Sequence, residues 1–304
     1  MNKADSFLKN TSATIGCLIL VFFIAMVISL FHASSLAWHQ FGLSFIWRDV
    51  WNPNTQVFAA LNTILGTLIT SVLALIFGLP ISVLIASFAS RLAPHLLRTL
   101  IAFTLQLMAG IPSIIYGMWG LFNLAPFLSA HVQPFISATL GKLPWIGAWF
   151  VGPPIGIGIF CAGAILAIMI IPLLTTMIMD LMRRVPHDLQ EAAYAQGATH
   201  WEVIWHINLP FIRKGLIGST MLGLGRALGE TMAVTFVIGN AHLLPSSLFM
   251  PGNTIASTIA NEFAEATTPL YSSSLMALGL ILMVITFVTI IIARLLLREQ
   301  KFVK

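Results

Sequence analysis

Asp188-Leu189-Gln190-Glu191-Ala192-Ala193-Tyr194-Ala195-Gln196-Gly197-Ala198-Thr199-His200-Trp201-Glu202 is the centre of a polar stretch, about 180–214, set between two long apolar runs, 154–179 and 215–240. Asp188 and Glu191 have capping-box spacing, so a short helix is expected from about Leu189. Gly197 can end it. Thr199 and Glu202 repeat the spacing and open a second short helix through about Ile207, which Leu209-Pro210 stops. Leu189, Ala192 and Ala193 share one helix face by the i, i+3, i+4 rule, as do Trp201, Ile204 and Trp205. Small alanines on such a face admit another protein closely; the alternative is a loop packed on its own bundle.

Outward from this stretch, six apolar runs are long enough for a helical crossing of about 20 residues. They are about 13–31, 60–88, 99–124, 154–179, 215–240 and 274–294. The first has too long an apolar core for a signal peptide, although Lys3 and Lys9 precede it and Ser35-Leu36-Ala37 loosely resembles a cleavage site. Only 8% of the 304 residues are charged, where a soluble domain carries roughly 25%. A soluble enzyme, a nucleic-acid binder and a disordered scaffold are thereby excluded, and an all-α, multi-pass membrane protein is expected.

Placing the N-terminus inside puts Lys3, Lys9, Arg91, Arg98, Arg183, Arg184, Arg213, Lys214, Arg294, Arg298, Lys301 and Lys304 in the cytoplasm, twelve of 15 basic residues. Both termini are therefore expected there. Trp38, Trp47, Trp51, Trp119, Trp145 and Trp149 then form an outer aromatic belt. Cys17 and Cys161 would lie near opposite faces of the bilayer, too far apart for a disulfide.

The run Glu191-Ala192-Ala193, three residues, Gly197, nine residues, Ile207, one residue, Leu209-Pro210 resembles the EAA loop of ABC-importer permeases at every fixed position. The resemblance implies a type I importer permease fold in which this loop is a coupling helix seated on an ATPase subunit. Many members have Asp before the glycine; here it is Gln196, so no salt bridge is assigned at that point. Two further runs are similar to the phosphate-specific permeases: Ala109 to Gly120, containing Ile111-Pro112-Ser113, and Leu222 to Asn240, containing Gly225-Arg226-Ala227-Leu228-Gly229-Glu230-Thr231. The outer run Met250-Pro251-Gly252-Asn253-Thr254, with Asn261 to Ala266, is similar to the PstC family rather than to its partner PstA. Similarity covers about 42–294. It implies a PstA-like second permease, a PstB-like ATPase dimer, an extracytoplasmic PstS-like phosphate-binding protein and a prokaryotic inner-membrane location. Three parts follow: 1–59, a first membrane helix and outer loop; 60–294, the importer domain with its coupling loop; and 295–304, a cytoplasmic tail.

The residues themselves carry no nucleotide or metal chemistry. Gly141-Lys142 lacks the earlier glycine of a phosphate-binding loop, so ATP and its Mg are expected on a partner chain and no cofactor on this one. Eight His residues form no ligand constellation. Gly225 and Gly229 have the spacing for close helix packing. Arg226 and Glu230 stand four apart near mid-bilayer, where each ion costs about 2.5–3.5 kcal/mol even on the lenient scale. They are expected on one helix face, turned to the bundle interior or a water-filled path. Glu230 would hold Arg226 at rest and yield it to phosphate, or the two form a structural pair.

Pro80, Pro112 and Pro172 are expected to kink their helices and free the carbonyls of Ile76, Met108 and Ile168. Pro112, beside Ser113 and Tyr116, is expected to line the path. Ser113, Tyr116, Arg226, Glu230 and Thr231 are the expected pathway residues; Glu191, Ala192, Ala193, Gly197, Leu209 and Pro210 are the expected ATPase contact. A permease without catalytic residues competes with a self-sufficient secondary anion transporter or channel. The latter would show repeats and several intramembrane acids, and only Glu230 is present. Phosphate and a related oxyanion are separated only by the resemblance.

Overall fold

Ile165, Leu166, Ile170, Leu174 and Ile178 are almost completely buried, and they lie along one helix, Ile159–Arg183, around which the others pack. The computed structural model describes residues 3–244 and 246–298. Lys301 and Lys304, and most of the expected tail, lie outside the described residues. Among the described residues, five helices are long and apolar enough to cross a bilayer: Phe7–Ala33, Leu61–Leu92, Ser113–Lys142, Ile159–Arg183 and Pro269–Ile292. The elements named below are α1 (Lys3–Ala33), α2 (Leu61–Ser87), α3 (His95–Gly110), α4 (Ser113–Trp119), α5 (Ile159–Arg183), α6 (His187–Ala195), α7 (His200–Val203), α8 (Leu209–Leu228), α9 (Met232–Val237), α10 (Ile255–Glu262) and α11 (Pro269–Arg298).

Helices α2 and α5 form the most extensive pair. Without a hydrophobic drive between helices in lipid, close backbone approach supplies the packing. A Cβ on Gly78 would stand 2.9 Å from Ile170 Cγ1, and one on Gly163 would stand 2.7 Å from Leu73 Cβ. Pro80 and Pro172 lie inside these helices, as expected. Helix α1 is apolar on all sides and largely exposed, as a lipid-facing helix is.

Two expected crossings are not single helices. The run 99–124 breaks at Ile111-Pro112, which are both extended, and the helical course resumes at Ser113 and runs through π turns to Lys142. A residue before proline is pushed out of the α region, so the kink becomes a full break. The freed Met108 carbonyl accepts from Ile111 N at 3.3 Å and from the Tyr116 hydroxyl at 2.9 Å. The run 215–240 belongs to α8, which ends at Leu228, and to α9, which starts at Met232. Helix α8 has 20 residues, about 30 Å at 1.5 Å per residue. It carries Arg213, Lys214 and Arg226, so it is long enough to cross but less apolar than the five. Within this chain, a Cβ on Gly225 would meet nothing within 4 Å, while one on Gly223 would meet Leu174 Cδ2 at 2.8 Å, so the close contact made inside the chain falls on Gly223.

At the N-terminal end of α2, α10 folds back against it. Its Ile255 N–H donates to Thr67 Oγ1 at 3.0 Å, and Thr254 with Ser257 forms its capping box. A Cβ on Gly66 would stand 1.9 Å from the Asn253 carbonyl oxygen, so only glycine fits there. The Glu262 carboxylate then ties four segments together. It accepts from Trp51 Nε1 at 2.7 Å and from the Tyr271 hydroxyl at 2.5 Å, and lies 2.5 Å from His242 Nε2. Trp51 is thus buried in this cluster rather than standing in an outer belt.

Burial raises the Glu262 carboxyl, but the hydrogen bonds from His242, Tyr271 and Trp51 outweigh it and hold it below the usual range. A depressed carboxyl contributes stability above its unfolded value, about 4.3, and loses it as pH falls through the lower folded value. The Glu262 cluster should therefore be intact at pH 6 and weaken progressively as pH falls below about 4.3. Glu262→Gln should flatten the acid limb of a thermal-stability profile; an unchanged limb would show that Glu262 does not carry it.

Candidate functional site

The two broken helices meet. Helix α4 packs on α9 through Gly117, where a Cβ would stand 3.0 Å from the Ala233 Cα and 2.9 Å from Phe236 Cδ2. Their breaks, Ile111-Pro112 and Gly229-Glu230-Thr231, are where helix ends in the membrane leave backbone groups without intrahelical partners. Interrupted helices of this kind place polar groups at depth where a continuous helix would not.

The structure brings the expected pathway residues to this junction. Ser113 opens α4 and is half-buried, and Tyr116 follows within the same turn, buried, with its hydroxyl committed to Met108. Arg226 is exposed in the last turn of α8, with Tyr116 within reach of its charge. Thr231 occupies the N-cap position of α9 and its hydroxyl donates to the Gly229 carbonyl at 3.3 Å.

Glu230 departs from expectation. Because α8 ends at Leu228, Arg226 and Glu230 do not share a helix face. Among the described residues, the ion pairs within 4.0 Å are Arg183–Asp180, His187–Glu191 and His242–Glu262, so the expected resting pair is not formed. Glu230 Oε1 instead accepts from the Ala233 N–H at 3.4 Å, at the positive end of α9. Gly117, the contact that seats one break on the other, escaped the sequence reading; the small residue one position past Tyr116 was its only signal.

The loop expected in the cytoplasm, about 180–214, forms a second site. Helix α6 begins at His187 with Pro186 before it and no side-chain cap, so the Asp188–Glu191 capping box is not formed. Pro186 occupies the cap position and moves Asp188 into the first turn, where its charge suits the helix dipole. Gly197, at φ +85°, ends this helix as expected. The Thr199–Glu202 box is formed, with Thr199 N–H and hydroxyl 2.7 and 2.8 Å from Glu202 Oε2. Those bonds hold the exposed Glu202 carboxyl below the usual range.

The second helix does not stop at Leu209-Pro210. A π turn, Ile204–Asn208, carries it into α8, whose first turn tolerates Pro210 because its missing N–H has no partner there to lose. Glu191 and Ala192 are exposed, and Ala193 lines a cleft of about 370 Å³ with Gly197, Glu202 and His206. Trp201 and Trp205 stand outside, edge to face at 5.6 Å, whereas Ile204 turns inward and leaves the face expected of it. Leu209 and Pro210 do not reach that cleft; they line an apolar groove of about 670 Å³ with Pro80 and Arg213.

A multi-pass helical protein with two interrupted helices packed together and an exposed helix pair between spans has the architecture of a membrane transport component. The family model for the binding-protein-dependent transport system inner membrane component matches residues 78–301. A Mesorhizobium japonicum protein named phosphate transport system permease protein PstC is 50% identical over 95% of this chain and 89% of its own. The protein of that name from Haemophilus influenzae is 47% identical over 99% and 95%. A probable phosphate transport system permease protein PstC of Methanocaldococcus jannaschii is 34% identical over 96% and 93%. The chain belongs to the binding-protein-dependent transport inner membrane components and, among them, to the PstC permeases.

The fold agrees with a bacterial ABC transporter involved in import of the acidic polysaccharide alginate, at TM-score 0.62, 19% identity, and 99% and 98% coverage of the two chains. A bacterial alginate ABC transporter in complex with a pentasaccharide-bound periplasmic protein aligns at TM-score 0.59, 20% identity, and 96% and 93% coverage.

Proposed function

We propose that this chain is one of two permease subunits of an ATP-driven importer of inorganic phosphate in a prokaryotic inner membrane, with both termini in the cytoplasm. It forms half of the translocation path, and loop 180–214 docks on an ATPase dimer that binds ATP and Mg. A PstA-like permease and an extracytoplasmic PstS-like phosphate-binding protein complete the assembly. Membrane lipid surrounds it, and nucleic acid is not a partner.

The observation that carries this reading is Arg226, an exposed cation at the junction of two broken helices. In lipid a guanidinium at that depth is unfavourable, so another chain must cover this face and enclose a polar space. A guanidinium stays protonated and can meet two phosphate oxygens at once, which suits an oxyanion in transit. The names of the relatives supply the oxyanion's identity.

The test is reconstitution in vesicles. The chain with its second permease, ATPase and binding protein should take up phosphate, and not sulfate, only when ATP is supplied. Sulfate uptake at a comparable rate would point to a related oxyanion. Phosphate flux through this chain alone, without ATP, would make it a secondary transporter or channel.

A further inference from the structure

The cytoplasmic end of α2 finishes in a π turn, Phe88–Leu92, and that turn aims Arg91 across the bundle. The Arg91 guanidinium donates to the Met182 carbonyl in the last turn of α5. A cation there meets the negative end of the helix dipole. The i+4 position of that carbonyl is Pro186, which has no N–H, and its backbone partner is the Val185 N–H at 3.4 Å. Arg98 holds the same turn from the other side, its Nε donating to Ala89 O at 3.0 Å and its Nη2 to Ser90 O at 3.4 Å.

The next carbonyls along that chain end are taken by the coupling helix itself. Gln190 is the one buried residue of α6, and its Nε2 donates to Val185 O at 3.3 Å and Pro186 O at 3.4 Å. Tyr194, one turn further, lies within reach of the Arg91 charge and meets His200 Nδ1 at 2.9 Å, which links α6 to α7. The carbonyls of one short turn, 182–186, are thus gripped from two directions.

We propose that Arg91 and Gln190 are positioning residues that form a mechanical joint between the ATPase-docked loop and the membrane helices. Gln190 fixes the turn to α6, and Arg91 fixes the same turn to the end of α2. Helix α3 starts at His95, so a displacement of that end is delivered to the helix that breaks at Pro112. Neither side chain touches the transported ion. The inference rests on the importer reading, because it needs an ATPase that moves α6.

The experiment compares phosphate moved per ATP hydrolysed in the reconstituted four-component complex. Arg91→Met keeps the apolar stem and removes the donors. It should assemble, hydrolyse ATP, and move about tenfold less phosphate per ATP, the size expected for losing one charge-assisted hydrogen bond. Arg91→Lys, which retains a donor and the charge, should recover most of the ratio. Gln190→Met should lower it too, and the double variant should be no worse than Arg91→Met, since one joint can be opened only once.

A normal ratio in assembled Arg91→Met, beside a coupled wild type, overturns the joint and leaves the importer reading standing. Losses that multiply in the double variant overturn it as well, because they mark two independent structural roles. If Arg91→Met does not assemble, the ratio for Gln190→Met decides in the same way. A wild-type complex in which ATP hydrolysis drives no uptake overturns the importer reading and the joint together.

Discussion

Arg226→Gln is expected to abolish phosphate uptake, by about a hundredfold or more, in a complex that still assembles. The size follows from losing two charge-assisted hydrogen bonds to the passing oxyanion, each worth about 1.5–3 kcal/mol. Assembly survives because no partner is orphaned. Removing one member of a buried ion pair costs about 3–5 kcal/mol, but Arg226 and Glu230 are not paired, and the carboxylate already accepts from Ala233 N–H. Arg226→Lys keeps the charge and loses the two-pronged geometry, so it should retain part of the uptake. Glu230→Gln keeps an oxygen acceptor facing α9; its effect should fall on transport rate, with the subunit still in the membrane. Membrane abundance, co-purification of the second permease and phosphate uptake, measured on each variant, check all three. Normal uptake by an assembled Arg226→Gln complex would remove Arg226 from the path.

The sequence disclosed continuous helices better than interrupted ones. Runs 60–88 and 154–179 reappear as Leu61–Leu92 and Ile159–Arg183, because an apolar chain in lipid must satisfy its backbone internally and the helix is the local way to do so. The break at Pro112 was half legible: proline announced a disturbance and a freed Met108 carbonyl, while Tyr116, expected only beside the path, gave no sign that its hydroxyl takes up that carbonyl. The break at 229–231 was hidden by its own glycine. Gly225 and Gly229 read as a packing motif on one continuous helix, yet α8 ends just before Gly229.

A helical wheel therefore set Arg226 over Glu230, but the helix unwinds at Gly229 and the Glu230 N–H donates to Ala227 O at 3.4 Å instead of to Arg226 O. In the loop, Thr199 and Glu202 cap as their spacing demands, whereas Pro186 displaced the equivalent signal at Asp188. The remaining ties were illegible because they are remote: Arg91 reaches Met182, and Trp51 reaches Glu262, across 91 and 211 positions of chain.

Ala193→Asp is expected to cut ATP-driven uptake at least about tenfold while leaving the membrane helices folded. Ala193 is half-buried beside the cleft between α6 and α7, and its carbonyl closes the end of α6 by accepting from Gln196 N and Ala198 N, both at 3.1 Å. A carboxylate there opposes the helix dipole, a local cost of about 0.3–1 kcal/mol, too small to unfold a loop anchored by two flanking membrane helices. It also enters a cleft that already holds Glu202, whose carboxyl is kept ionised by Thr199. When the ATPase covers this face, an added charge loses water without gaining a partner, and docking weakens by more than the fold does. Ala193→Ser, small and neutral, should stay within about twofold of wild type, since most surface changes lie within about 0.5 kcal/mol. Uptake and ATP hydrolysis measured on one preparation, with membrane abundance as the control for folding, separate docking from stability. An Ala193→Asp complex that hydrolyses ATP in step with transport would place the ATPase contact elsewhere on the chain.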